Sequence, residues 1–480
     1  MAERAGYQRV GLLLGPLLAS LIWLLPVPEG LTREAWIVVA IAAWMACWWA
    51  TEAIPVPATS LLPLILLPLS GVASAAEASR PFSEPVIYLL LGGFIMAMAL
   101  ERSGLHRRIA LAIVARSGEH PSGLIFGFMA ATALLSMWVS NTAATLMMLP
   151  IALMVARNVL PEGAVHHPFS RALVIGIAWS ASIGGLGTII GTPPNAFVVG
   201  FVREAQGLEI PFIAWMAIGL PVVFSLIPAA WFVLVRLSFP FDANELHGGQ
   251  ATVASARRAL GAISKTERRV AAVFLLIATL WATRLLLNRL PGLAGLSDMN
   301  IAIFGALLMF LIPGGDPARG DARLLDWREA ERLPWGVLLL FGGGLSLAAA
   351  IRSTGLAEWL GSELAPLAGA PTPLLILAVV LLIIFLTELT SNTATVAALV
   401  PILASLADAS AIAPVLLAIP AALAGSSAFM LPVATAPNAI VFASGEIHMP
   451  DMVRSGLRLN LIGAPIIALL CWLIVPRLFG

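Results

Sequence analysis

Charged residues are scarce in this chain of 480 residues: 11% are Asp, Glu, Lys or Arg, whereas 60% are hydrophobic. The mean hydropathy is +0.96. A soluble core of this length cannot bury so much apolar surface, so lipid must cover part of it. The 27 basic and 26 acidic residues nearly cancel, and a net charge of +1 gives no indication of a nucleic-acid partner.

Cysteine and histidine are also rare, with two and six residues. Cys47 and Cys471 lie far apart in apolar runs without another ligand at metal-binding spacing, so we interpret both as packing residues. All histidines fall in predicted loops: His106, His120, His166, His167, His247 and His448. An intramembrane hydrolase needs a nucleophile with a base, or a metal pair, at membrane depth. We therefore expect no enzyme activity and no organic cofactor.

Long apolar runs predict an all-α polytopic membrane protein with about 11 transmembrane helices, the first within residues 1–30. The predicted spans are 10–26, 35–51, 57–73, 85–101, 172–202, 211–237, 270–288, 299–313, 334–350, 413–444 and 458–476. Two other apolar runs, 122–157 and 372–407, are too long for one membrane span and too short for two full spans. Each carries a polar triplet near its middle, which predicts a re-entrant helical hairpin that turns at the triplet.

Two predicted spans contain a helix break. The first break has the sequence Gly191-Thr192-Pro193-Pro194-Asn195, and the second has Ala434-Thr435-Ala436-Pro437-Asn438. Proline lacks a backbone N–H and clashes with the carbonyl four residues earlier, so each helix unwinds there. The unwound backbone leaves carbonyl groups without helical partners.

The two halves of the chain repeat one pattern. An offset of 251 aligns Ser140-Asn141-Thr142 with Ser391-Asn392-Thr393, and also Gly92-Gly93 with Gly343-Gly344. An offset of 243 aligns the Thr-x-Pro-Asn segments that begin at 192 and 435. Duplication is the simplest account. We expect a first repeat at 31–237, a cytoplasmic linker at 238–269 and a second repeat at 270–480.

The repeats are expected to be inverted. Five predicted crossings separate the two hairpins, and an odd number places their entrances on opposite membrane faces. With a cytoplasmic N-terminus, 20 of the 27 basic residues fall in loops assigned to the inside, including Arg4 and Arg319. This bias follows the positive-inside rule. It predicts that the first hairpin opens from the cytoplasm and the second from the outer face.

The hairpins and broken spans contain no Lys or Arg over 122–156, 172–202, 372–407 and 413–444, and Glu388 is their one acid. Asn and Ser oxygens with freed carbonyls suit a hard cation such as sodium, whereas Asn amides, Thr hydroxyls and helix N-termini suit a carboxylate. A bound cation and anion would neutralise one another. The alternative is that the polar triplets only cap hairpin arms and join helices.

These motifs resemble the divalent anion:sodium symporter family of di- and tricarboxylate transporters. The likeness covers nearly the whole chain and includes the segments 50–53, 140–142, 191–195, 387–393 and 429–435. It implies a homodimer in which a transport domain moves like an elevator against a scaffold. It also implies sodium-coupled symport of C4-dicarboxylates or related anions across the bacterial inner (plasma) membrane.

The resemblance further implies roles for particular residues. The sodium ligands would be Ser136, Ser140, Asn141 and the Gly191 carbonyl in one repeat, and Thr387, Thr390, Asn392 and the Ala434 carbonyl in the other. Substrate would contact Asn141, Thr142, Pro193, Asn392, Thr393 and Thr435. Thr390 is expected to contribute its carbonyl. Ala436 stands where the first repeat has Pro193, which leaves pocket size and substrate choice open.

Several alternatives stay open at this stage. A dicarboxylate exchanger or a sulfate transporter of the same family would keep the same polar tips. A channel would differ by showing single-channel conductance instead of saturation and counterflow. Glu52 and Glu388 are each either a proton carrier or a hydrogen-bond partner of a neighbouring helix.

Overall fold

The computed structural model describes residues 6–160, 166–242, 246, 248–315, 323–364 and 369–479. Arg4, His247 and Arg319 lie outside these ranges. Within them the protein is built from α-helices, with one isolated β-bridge between Pro313 and Arg323. Nine helical segments of the described chain are long and apolar enough to cross a membrane by length and composition. The all-α class is therefore confirmed.

The α-helices are, in chain order, α1 (Gly6–Leu24), α2 (Arg33–Thr51), α3 (Val56–Thr59), α4 (Leu62–Leu69), α5 (Ala75–Ser79), α6 (Pro85–Ser103), α7 (Leu105–Val114), α8 (Pro121–Ser136), α9 (Asn141–Val159), α10 (Pro168–Gly185), α11 (Pro193–Gln206), α12 (Phe212–Phe232), α13 (Gly249–Ala259), α14 (Lys265–Leu287), α15 (Asp298–Leu311), α16 (Trp327–Ala330), α17 (Trp335–Ser353), α18 (Leu356–Leu364), α19 (Thr372–Thr387), α20 (Asn392–Ala409), α21 (Val415–Gly425), α22 (Ala436–Phe442) and α23 (Met449–Phe479). A π-helix, Val233–Ser238, continues α12, and 3₁₀-helices cover Arg80–Ser83 and Pro432–Ala434.

The run 57–73, expected as one span, is not one continuous helix, and whether it crosses the membrane stays a prediction. Two short helices, α3 with 4 residues and α4 with 8, occupy this run. At about 1.5 Å per residue neither helix alone can cross a hydrocarbon core of about 30 Å, so a crossing here would need both. The cause of the break is proline: Pro63, the second residue of α4, has no N–H to donate to the Thr59 carbonyl, so α3 ends at Thr59 and a new helix begins at Leu62.

The segment expected as a linker, 238–269, contains helix α13, and α14 begins at Lys265 and not near 270. A capping box sets this start: Glu267 N donates to Ser264 Oγ at 3.0 Å, and Ser264 N donates to Glu267 Oε2 at 2.6 Å. Two backbone donors at the helix start are satisfied in this way. Helix α14 therefore begins earlier than the hydropathy alone indicates.

His106 was expected in a loop, and the structure corrects this. It lies in the first turn of α7 and is only 9% exposed. Its Nδ1 is 3.0 Å from the Leu100 carbonyl oxygen. His106 is therefore part of the packing between α6 and α7.

Both runs expected as hairpins form two helices joined by a short tip. In the first run α8 and α9 flank residues 137–140, and in the second α19 and α20 flank residues 388–391. The polar triplet lies at the start of the second arm in each case, with Asn141 and Asn392 as first helical residues. Ser140 caps α9 by accepting a hydrogen bond from Ala143 N at 3.1 Å.

The hairpins and the broken spans pack together as one unit. α8 and α9 contact α10, and α19 and α20 contact α21. The second arm of each hairpin also reaches the other half of the chain, because α9 packs on α22 and α20 packs on α11. This crossed packing joins elements more than 180 residues apart in the sequence around the two helix breaks.

Candidate ion and substrate site

In the first repeat, three of the four expected sodium ligands lie together. Ser136 Oγ donates to Asn141 Oδ1 at 2.6 Å, and Ser136 is fully buried. A Cβ built on Gly185 would lie 2.9 Å from Asn141 Oδ1 and 3.0 Å from the Gly191 carbonyl oxygen. These two oxygens therefore face one small space, which the missing side chain of Gly185 leaves free.

Ser140, the fourth expected ligand, is exposed and uses its hydroxyl oxygen to cap α9. The cap places this oxygen at the positive N-terminal end of a helix of 19 residues. The structure thus assigns Ser140 a structural contact, and its role as a sodium ligand stays a prediction.

The second repeat reproduces the central pair. Thr387 Oγ1 lies 2.6 Å from Asn392 Oδ1, the same distance and the same five-residue spacing as Ser136 and Asn141. Thr387 Oγ1 is also 3.1 Å from the Gly425 carbonyl oxygen, where α21 ends. A hydroxyl and a carboxamide therefore converge at the same place in each hairpin, and each pair lies against its own broken span.

The remaining expected ligands of the second repeat are arranged differently. Thr390 Oγ1 donates to the Leu386 carbonyl at 2.8 Å and lies 2.6 Å from Thr395 Oγ1. Its side chain is therefore engaged within its own hairpin and not with the Thr387–Asn392 pair. Ala434 ends the 3₁₀-helix that precedes α22. Carbonyl coordination by Thr390 and Ala434 stays a prediction.

Two buried asparagines, Asn195 and Asn438, hold the unwound backbone in place. Asn195 Nδ2 donates to the carbonyls of Gly185 at 3.0 Å and Thr188 at 2.8 Å. Asn438 Nδ2 donates to the carbonyls ten and seven residues earlier in its own repeat, at 3.2 and 3.0 Å. In the sequence both residues stand out only because they recur in the repeat. Their position directly after the proline in Thr-x-Pro-Asn is the sequence feature that could have indicated their contact with the unwound backbone.

The two broken spans meet directly. Ser426 Oγ donates to Thr192 Oγ1 at 3.0 Å, and both residues are buried. Trp179 Nε1, on α10, donates to the Phe429 carbonyl at 3.1 Å in the second break. No motif or spacing in the sequence marks Trp179 or Ser426. The contacts connect the two halves of the site through hydrogen bonds.

The expected substrate residues differ in accessibility. Asn141, Thr142, Pro193, Asn392 and Thr435 are partly exposed, whereas Thr393 is buried. Residues 181–192, from the end of α10 into the first break, are buried throughout. Val433, directly before the second break, is 81% exposed. The polar groups at the hairpin tips are thus partly accessible, and the two breaks face unequal surroundings.

Known proteins with related sequences cover nearly all of the chain. The sequence model of the family described as “Sodium:sulfate symporter transmembrane region” matches residues 8–478. The sodium-dependent dicarboxylate transporter SdcS of Staphylococcus saprophyticus is 44% identical over 480 residues, covering 98% of this chain and 92% of that protein. SdcS of Staphylococcus aureus strain USA300 is 43% identical, with the same coverage.

Two solved structures resemble the fold. The YdaH transporter of Alcanivorax borkumensis has a TM-score of 0.59 and 16% identity, covering 98% of this chain and 97% of that one. MtrF of Neisseria gonorrhoeae, described as illuminating a class of antimetabolite efflux pumps, has a TM-score of 0.60 and 15% identity, covering 95% and 97%. At such low identity these likenesses show a membrane-transporter fold alone. The family match and the relatives in sequence show that the chain belongs to the sodium:sulfate symporter family, the divalent anion:sodium symporters that its motifs resemble.

Proposed function

We propose that this protein is a secondary active transporter that carries C4-dicarboxylates, or related di- and tricarboxylates, together with sodium across the bacterial plasma membrane. The observation that carries the proposal is the pair of matched hydroxyl–carboxamide contacts, Ser136–Asn141 and Thr387–Asn392, each 2.6 Å long and each beside a helix break. The SdcS relatives are named for sodium-dependent dicarboxylate transport, which supports the ion and the substrate class.

The absence of fixed positive charge explains the need for a cation. Apart from Glu388, the hairpins and broken spans supply neutral oxygens and amides, with no Lys or Arg in 122–156, 172–202, 372–407 or 413–444. Moving a dianion from water into such a site costs a large desolvation free energy unless cations bind with it. One sodium in each repeat, at Asn141 and at Asn392, would balance two carboxylates held between them by the substrate residues named above.

We further propose two inverted repeats, 31–237 and 270–480, within about 11 membrane crossings, and an elevator motion of the packed hairpin unit. Supporting this proposal, the hydrogen bonds of Asn195 recur at Asn438 with the same ten- and seven-residue spacings. The distribution of Lys and Arg supports a cytoplasmic N-terminus. A homodimer completes the proposal, on the ground of family membership.

The test is uptake of radiolabelled succinate into proteoliposomes that contain the purified protein. We expect uptake to follow an inward sodium gradient and to fall to background when choline replaces sodium. Asn141→Ala and Asn392→Ala are each expected to lose most of the uptake, because each removes a shared ion and substrate ligand.

The control for these variants is Asn158→Ala, at the other, exposed end of α9, which should keep uptake. Uptake that requires internal dicarboxylate and no sodium would identify an exchanger instead. Uptake of sulfate without succinate would identify a sulfate transporter, and single-channel conductance would identify a pore. Each of these results contradicts the proposal.

A further inference from the structure

Glu388, at the tip of the second hairpin, is a buried carboxylate with four donors. Its Oε1 accepts from the backbone N–H groups of Phe429 at 2.8 Å and Met430 at 2.9 Å, and from Asn460 Nδ2 at 2.9 Å. Its Oε2 accepts from Leu431 N at 3.0 Å. The side chain is only 3% exposed. An ionised carboxylate only accepts hydrogen bonds, and the four N–H donors around Glu388 match this requirement.

The three backbone donors belong to the second helix break. They lie between the end of α21 at Gly425 and the 3₁₀-helix Pro432–Ala434, where the backbone has no regular helical partners. Buried N–H groups without partners cost free energy, and so does a buried charge. The Glu388 carboxylate gives these N–H groups an acceptor, and the N–H groups stabilise its charge. The tip of the hairpin and the unwound backbone therefore hold one another in place.

The first repeat joins the same two positions by a different bond. By the offsets of the repeat, Met137 corresponds to Glu388 and Thr188 corresponds to Leu431. Thr188 Oγ1 donates to the Met137 carbonyl at 2.6 Å. In the first repeat the bonding side chain, Thr188, belongs to the segment at the helix break and the hairpin tip supplies a carbonyl. In the second repeat the bonding side chain, Glu388, belongs to the hairpin tip and the break supplies a backbone N–H. The contact is neutral in the first repeat and carries a carboxylate in the second.

This contact adjoins the second proposed sodium site on both sides. Glu388 follows Thr387, whose hydroxyl lies 2.6 Å from Asn392 Oδ1. On the other side, Leu431 is three residues before Ala434, and its carbonyl accepts from Asn438 Nδ2 at 3.0 Å. A shift of the tip against the break would therefore change the spacing between the hairpin ligands and the Ala434 carbonyl.

We propose that Glu388 is a positioning residue of the second sodium site, which sets the distance between hairpin tip and helix break and supplies a fixed negative charge near that site. This inference rests on the proposed sodium coupling. It differs from a merely structural role in its effect on sodium affinity, because a nearby negative charge and a preformed ligand spacing both favour binding of a cation. It also makes the two sodium sites unequal, since Met137 carries no charge.

The test is the sodium dependence of succinate uptake by Glu388→Gln in proteoliposomes. Glutamine keeps the shape but turns one acceptor oxygen into an N–H₂ group that faces backbone donors. We expect the sodium concentration at half-maximal uptake to rise about tenfold or more, as for a lost charged hydrogen bond. The maximal rate at saturating sodium and succinate should stay within about threefold, which separates binding from turnover.

Three further variants complete the experiment. Glu388→Asp keeps the charge and should restore part of the sodium affinity that Glu388→Gln loses. Asn460→Ala removes one donor from the carboxylate and should shift the sodium dependence in the same direction by a smaller factor. Met137→Leu keeps the carbonyl that Thr188 bonds to and should leave the sodium dependence unchanged.

An unchanged sodium dependence in Glu388→Gln, with only the maximal rate or the amount of folded protein reduced, would overturn the inference. If Glu388→Gln does not fold, Asn460→Ala decides by the same criterion. Wild-type uptake that needs no sodium is a different result: it refutes the proposed function itself and removes the basis of the inference. The two failures are therefore distinguishable within one experiment.

Discussion

Replacing Gly185 with alanine would put a methyl group against two of the oxygens proposed to bind the first sodium ion. Gly185 is the last residue of α10, and a Cβ there would lie 2.5 Å from Thr192 Cγ2. It would also lie 2.9 Å from Asn141 Oδ1 and 3.0 Å from the Gly191 carbonyl oxygen. All three distances are shorter than ordinary van der Waals contact, and the surrounding residues 181–192 are buried.

The expected magnitude follows from these contacts. Forcing a methyl group into a packed interior typically costs about 1–3 kcal/mol. If the oxygens move apart to accept it, the same free energy is lost from sodium binding, and about 1.4 kcal/mol corresponds to tenfold in affinity. We therefore expect Gly185→Ala to raise the sodium concentration needed for half-maximal succinate uptake by about fivefold to 150-fold.

The assay is succinate uptake into proteoliposomes as a function of external sodium, with protein stability followed in parallel by thermal denaturation. The matched control is Gly176→Ala on the same helix. Its Cβ would meet only flexible side chains, with Met129 Cγ at 3.1 Å and Leu234 Cδ1 at 3.5 Å. The control should keep its sodium dependence. A Gly185→Ala variant whose sodium dependence matches that of the control would refute this placement of the first sodium site.

Three other predictions follow from the geometry. Thr192→Val and Ser426→Ala should each lower thermal stability. Because the two hydroxyls share one hydrogen bond, a double-mutant cycle should give a coupling free energy of about 0.5–1.5 kcal/mol. Strictly additive effects of the two substitutions would contradict this prediction. Asn195→Ala and Asn438→Ala should each lower the free energy of unfolding by about 1–3 kcal/mol, since each loses two buried hydrogen bonds. Unchanged melting temperatures would contradict the role of these side chains in holding the unwound backbone. Burial lowers the pKa of His106 below its ordinary value, so the folded protein holds this ring neutral more strongly than the unfolded chain. Its contribution to stability is therefore present above the ordinary pKa and is lost as the pH falls below it. His106→Gln should accordingly flatten the acid side of a plot of melting temperature against pH, and an unchanged slope would contradict the assignment.

The hydropathy of the chain predicts most of the helices, because a membrane imposes a length and an apolar composition on every segment that crosses it. It misses the helix break within 57–73, where Pro63 cannot donate a backbone hydrogen bond to the turn before it. It also misplaces the start of α14, which a local capping box at Ser264 and Glu267 determines. Proline and capping signals were both present in the sequence, and each outweighs hydropathy at a helix end.

The candidate site was predictable only where the sequence repeats itself. The Ser136–Asn141 contact lies within one hairpin, so spacing and resemblance together were sufficient to locate it. The contact between Ser426 and Thr192 joins residues 234 positions apart, and no local pattern encodes it. The role of Glu388 depends on the path of an unwound backbone 41 to 43 residues later in the chain. Such contacts arise from tertiary packing.

The central claim is that one site binds a carboxylate dianion and sodium together, and ligand-dependent thermal stability of the purified protein tests it most directly. The ligands are succinate, malate, fumarate, citrate and sulfate, each with sodium and with choline. Linkage requires sodium to raise the affinity for the anion by the factor by which the anion raises the affinity for sodium. We predict a rise in melting temperature for a dicarboxylate only when sodium is present. An equal rise in choline, or no rise with any dicarboxylate in sodium, would contradict the account.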